Sequence, residues 1–102
     1  MTLHFAYGSN MSRKGMHARC PGAEATGVAA LEGYRFIIMT NGYASVEPKR
    51  GQYVCGVLWR LTPRDLASLN AYENLQAGLY RRVMLPVLID ERVKLNALVY
   101  VG

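Results

Sequence analysis

Strand-like runs cut by turn residues fill most of this chain, and only one stretch carries the full start signal of a helix. Thr62 suits the N-cap, Pro63 the first helical position and Asp65 the first turn. That helix is expected to run to about Tyr72 or Glu73. Around it, Thr2–Tyr7, Thr26–Leu31, Tyr34–Thr40, Tyr43–Val46, Tyr53–Leu61, Tyr80–Ile89 and Val93–Val101 read as strands. Gly8-Ser9-Asn10, Pro21-Gly22, Glu32-Gly33, Asn41-Gly42, Pro48-Lys49-Arg50-Gly51 and Asp90-Glu91-Arg92 read as the breaks between elements. Glu32-Gly33 looks like a hairpin connection. Ser12 is placed to cap a short helical turn over Arg13-Lys14-Gly15-Met16-His17. Pro86 has no N–H for a ladder, so its strand should sit at an edge or carry a bulge. The expected class is α+β: a small, curved, mostly antiparallel mixed sheet or barrel with one main helix and a short helical turn.

A chain of 102 residues is expected to be a single domain over 1–102, with a modest core. Hydrophobic residues make up 51% and charged residues 19%, which fits a soluble globular domain and not a disordered one. Twelve Lys and Arg against seven Asp and Glu give a charge of +5, which favours anionic ligands in general. The basic residues are scattered in singles and pairs, such as Arg13-Lys14, Lys49-Arg50 and Arg81-Arg82, so a nucleic-acid partner is not expected. Cys20 and Cys55 form no CxxC pair and read as reduced thiols. His4 and His17 lack partners at metal-ligand spacing, so neither a metal nor a cofactor is expected. No leader pattern and no apolar run near the ~20 residues of a membrane span is visible, which makes a cytoplasmic protein without a membrane partner the default expectation.

Two places carry possible chemistry. The first is Tyr7-Gly8-Ser9-Asn10-Met11. A strand that breaks at a glycine turn and leads into a helical start can aim several backbone N–H groups one way, a nest for a carboxylate or an oxyanion. Gly8 permits close backbone approach, and Ser9 and Asn10 add side-chain donors. The same residues also make an ordinary connecting turn. The second is Glu73. At ~100° per residue it falls within about 40° of both Leu66 and Leu69, on the stripe expected to face the core. Burial and the nearby helix C-terminus both favour its neutral form, and a carboxyl poised between charge states can take and give a proton. The competing reading lets the helix end early, with Glu73 in solvent. Tyr80, at the start of the next strand, offers a hydroxyl near that carboxylate or serves only as packing. No G-x-S-x-G, P-loop or dinucleotide fingerprint is present.

These residues resemble the signature of a known family. Tyr7-Gly8-Ser9-Asn10-Met11 after the first strand is similar to the Y-G-S-N-[LM] motif of γ-glutamylcyclotransferases and the related γ-glutamylamine cyclotransferases. Gly33-Tyr34-Arg35-Phe36 and Gly56-Val57-Leu58-Trp59-Arg60-Leu61 are similar to that family's middle strands. Leu69-Asn70-Ala71-Tyr72-Glu73, followed by Gly78-Leu79-Tyr80-Arg81-Arg82, resembles its L-D-x-x-E…Y segment. The turn and the glutamate together, in this order along nearly the whole chain, are specific. Two positions depart: Asn70 stands where the family often has Asp, and Asn74 where it often has Gly.

The resemblance implies the fold and a reaction. The expected substrate is a γ-glutamyl amide, whose own amino group closes on its side-chain carbonyl to release 5-oxoproline and a free amine. It places the catalytic acid/base at Glu73 and the substrate cradle at Tyr7, Gly8, Ser9, Asn10 and Tyr80. A basic residue such as Arg82, or the turn itself, would hold the α-carboxylate. The leaving amine stays open among an amino acid, a lysine side chain, a polyamine and a biosynthetic intermediate, with glutathione-type substrates ranked lower. The alternative is a non-catalytic binder of γ-glutamyl or other small acidic metabolites.

Overall fold

The computed structural model describes residues 2–8, 11–72, 78–90 and 93–102. Along these the order is β1 (Thr2–Ala6), α1 (Arg13–Arg19), β2 (Glu24–Ile38), β3 (Ala44–Leu61), α2 (Pro63–Tyr72), β4 (Arg81–Leu88) and β5 (Lys94–Val101). The strands close into a barrel in the order β1-β3-β2-β4-β5. Neighbours pair antiparallel except β1 and β5, which run parallel and meet at His4 and Leu98. The mixed, curved sheet and its two helices are the architecture expected from the sequence.

The strand boundaries differ in one instructive way. The two runs expected on either side of Glu32-Gly33 are one strand, and the Pro48–Gly51 break also lies inside a strand. Gly33 is a bulge, not a hairpin turn. Glu32 pairs with Tyr53 and Tyr34 pairs with Pro48, so residues 49–52 of β3 face Gly33 alone. Its φ of +79° is a backbone conformation that glycine adopts freely and other residues rarely do. Before the bulge the odd residues Ala29 and Leu31 enter the core; after it the even residue Tyr34 packs there. Four residues against one shift the register by three, an odd number, and this flips which side chains of β2 face inward. The actual hairpin turn is at Asn41-Gly42, where Gly42 N–H donates to Met39 O at 2.8 Å and Tyr43 N–H to Asn41 Oδ1 at 3.0 Å.

Two apolar layers result. The barrel interior holds Phe5, Leu31, Val54, Leu58, Val87 and Val99, among others. The outer layer lies between the barrel wall and the helices and is built on Trp59, Leu61, Met16, Leu69, Leu98 and Tyr100. Helix α1 starts as expected, with Ser12 Oγ accepting from Gly15 N–H. Helix α2 opens on a reciprocal cap. Asp65 N–H donates to Thr62 Oγ1 at 3.1 Å, and Thr62 N–H donates to Asp65 Oδ2 at 3.2 Å. Pro86 causes no break, because β4 meets β2 only at the Ala30–Leu88 pair and leaves most of that edge unladdered.

Candidate active site

One end of the barrel gathers the C-terminal ends of β1 and β5, the start of β4 and the far half of the β2–β3 hairpin. Tyr7 follows the last residue of β1, and its hydroxyl donates to Tyr100 O on β5 at 2.5 Å. Met11 N–H donates to Gly8 O at 3.0 Å. A Cβ placed on Gly8 would lie 3.8 Å from the Cβ of Ala44, the first residue of β3. Tyr80, just ahead of β4, donates its hydroxyl to the carbonyl of that same Ala44 at 2.5 Å. Tyr7 and Tyr80, 73 residues apart, each donate to a backbone carbonyl at this end of the barrel, that of Tyr100 and that of Ala44, and Gly8 lies beside Ala44. Ser9, Asn10, Glu73 and Asn74, also singled out by the sequence, lie outside the described residues.

The helix that leads to position 73 is anchored from both ends. At its start, Asp65 is 2% exposed, and its Oδ1 also accepts from Gly22 N–H at 3.2 Å, while Cys20 Sγ donates to Asp65 O at 3.3 Å. Burial, with the Asp65 carboxylate nearby, pushes the Cys20 thiol up, so it stays a neutral packing group. Near its end, the Tyr100 hydroxyl donates to Asn70 Oδ1. Asn70, where the resemblance leads one to expect Asp, thus supplies a neutral acceptor to β5. Leu69 is fully buried and Leu66 half-buried, so the stripe read from the sequence does face the barrel.

Beneath this helix His4 is 2% exposed. Its Nδ1 lies 3.0 Å from Leu98 O, and its ring stands edge-on to Tyr100 with centroids 5.4 Å apart. Burial lowers its pKa to about 4, against the smaller opposing effect of the Leu98 carbonyl. It is therefore a neutral wedge at ordinary pH. Arg82, considered for holding a carboxylate, is exposed on the outer face of β4, where it lines a groove of about 620 Å³ with Leu66, Met84 and Asn96. Among the described residues no group of three or more His, Cys, Asp or Glu side chains is arranged to hold a metal.

Sequence reasoning did not single out Ala44 or Tyr100. Ala44 acts through its carbonyl, which no side-chain pattern reports. Tyr100 was legible only as an apolar strand residue, and its hydroxyl matters because the strand faces a helix.

A closed mixed barrel with a glycine turn at one end and a capped helix beside it defines a class of small α+β domains. A family model described as "Gamma-glutamyl cyclotransferase, AIG2-like" matches residues 4–102, and the chain belongs to that family. The gamma-glutamylcyclotransferase of Bos taurus is 29% identical over 99 residues, covering 87% of this chain and 53% of that protein. That of Mus musculus is 31% identical over 88 residues, covering 76% and 47%. A solved structure of a gamma-glutamyl cyclotransferase superposes with a TM-score of 0.91 at 26% identity, covering 98% of this chain and 65% of that one. The chain spans about half the length of the curated relatives it matches. Among the described residues no helix is long and apolar enough to cross a membrane.

Proposed function

We propose that this chain is a cyclotransferase that closes a γ-glutamyl amide on itself, with Glu73 moving the proton. The observation that carries this reading is the meeting of Gly8 and Tyr80 at Ala44, in a chain whose family match runs from residue 4 to 102. The α-amino nitrogen of the substrate attacks its own side-chain carbonyl carbon. One C–N bond forms, the amide C–N bond breaks, and 5-oxoproline and an amine leave. The nucleophile already belongs to the substrate, so the protein gains much of its rate by holding a folded pose. Glu73 takes the proton that the α-ammonium must lose and returns it to the leaving nitrogen. Backbone N–H groups at Gly8, Ser9 and Asn10 face the developing oxyanion. Tyr7 and Tyr80, both held by carbonyls of the barrel end, wall the γ-glutamyl half.

The test is mass spectrometry of the purified protein with a panel of γ-glutamyl amides, reading 5-oxoproline. Wild type should release it, and Glu73→Gln should lose about 10²–10⁴-fold in kcat with its fold intact. Near-wild-type turnover by that variant removes Glu73 from the mechanism.

A further inference from the structure

The far half of the β2–β3 hairpin carries an apolar wall beside the candidate site. On its inner face stand Tyr34, Phe36 and Ile38 from β2 and Ala44, Val46 and Pro48 from β3, placed there by the pairs Tyr34–Pro48, Phe36–Val46 and Ile38–Ala44. The Phe36 ring meets Tyr7 edge-on, with centroids 6.3 Å apart. Ile38 is opposite Ala44, whose carbonyl holds Tyr80 and whose Cβ faces Gly8. Both wall residues remain open, Phe36 at 48% and Ile38 at 62% exposure. The charged residues of this segment, Arg35 and Glu47, are on the other face and paired with each other. A carboxylate laid against Phe36, Ile38, Ala44 and Val46 would lose water, while Arg35, the one cation of residues 34–48, is on the other face and held by Glu47, which makes that burial costly.

We propose that Phe36 and Ile38 set substrate choice by receiving the leaving-amine half of the substrate, and that the preferred amine is apolar, without a carboxylate of its own. This rests on the cyclotransferase reading above, because the wall is next to Tyr7, Gly8 and Tyr80. It separates alkyl and arylalkyl amides of glutamate from γ-glutamyl amino acids and peptides.

Three probes test it: γ-glutamyl-phenethylamide, γ-glutamyl-methylamide and γ-glutamyl-phenylalanine, the last differing from the first by one carboxylate. Wild type should favour the phenethylamide over each of the others by at least roughly tenfold in kcat/KM, the discrimination one apolar contact can give. Phe36→Ser and Ile38→Ser should each shrink the phenethylamide-to-methylamide ratio toward one. A wild-type ratio near one, ratios unchanged in both variants, or equal turnover of the phenylalanine probe overturns the apolar wall and leaves the reaction standing. If no probe yields 5-oxoproline, the reaction reading fails. Calorimetric binding of the same probes then decides the wall: tighter phenethylamide binding that Phe36→Ser loses supports it, and equal binding overturns it. A wild-type dimer in sedimentation that Phe36→Ser turns into monomer would assign the patch to a second copy instead and overturn the proposal.

Discussion

Among the described residues, the buried side chains inside the barrel are apolar from Phe5 to Val101, with the Tyr7 hydroxyl as the polar exception. Outside the wall the buried set is mixed. Buried Asp65, His4 and Ser45 all lie there, each hydrogen-bonded to backbone on another segment. The interior is held by shape, the outer layer by apolar contacts and directed bonds together. The difference teaches where precision is required. A barrel needs only to be filled, whereas a helix that ends next to a catalytic candidate needs to be held in register and in depth.

The largest expected effect tests the interior. Gly56 sits where β3 passes β1, and a Cβ there would be 2.3 Å from Ala6 O and 2.8 Å from the Phe5 ring. Backbone on one side cannot yield cheaply. Gly56→Ala should cost at least about 3 kcal/mol in urea unfolding, at the upper end of overpacking effects. A loss under about 1 kcal/mol would mean that the barrel breathes there and that shape does not hold it.

Asp65→Ala tests the outer layer. It removes the acceptor for Thr62 N–H and for Gly22 N–H and undoes the reciprocal cap. Stranded donors and a lost cap together should cost about 2–3 kcal/mol. Asp65→Asn, which keeps one oxygen, should lose less. If both variants are equally mild, the layer is held by its apolar contacts alone and the contrast drawn above breaks.

Acid should separate the two regions without any mutation. His4 has a folded pKa near 4, below its unfolded value of about 6.5. The unfolded chain therefore binds the extra proton first. The stability His4 contributes is complete above pH 6.5 and is lost as pH falls from there to about 4. Going from pH 7 to pH 5 should cost roughly 2 kcal/mol through this residue. His4→Phe should flatten that slope in unfolding curves taken across the range. An unchanged slope would place the acid sensitivity elsewhere.

How legible was this in the sequence? Helix α2 was readable because capping is local: Thr62, Pro63 and Asp65 lie within four positions. The Asn41-Gly42 turn was readable for the same reason. The β2–β3 ribbon was misread as separate strands because the inward set changes from odd to even at Gly33. Periodicity sees that change as an end, and only the partner strand reveals a bulge. The site shows the same limit. Tyr7, Gly8 and Tyr80 could be named by motif, but Ala44 and Tyr100, which bring them together, act across 36 and 93 residues through carbonyl groups.

The smallest expected change in stability carries the sharpest information about the candidate site. Tyr100→Phe removes the hydroxyl donor to Asn70 Oδ1 and leaves the Tyr100 carbonyl that holds Tyr7. One hydrogen bond should cost about 1 kcal/mol in unfolding. Its effect on turnover should be larger in proportion, because Asn70 is in the last turn before Glu73 and small misplacements of a reacting group are expensive. With a γ-glutamyl amide as substrate, kcat should fall about tenfold while KM moves less. Asn70→Asp keeps an acceptor for the hydroxyl and should lose less than Tyr100→Phe. If Tyr100→Phe costs stability and leaves kcat alone, the outer layer only packs the helix. If kcat falls with stability nearly intact, the directed bonds of that layer serve the reaction, and the division between a filled interior and an aligned exterior holds.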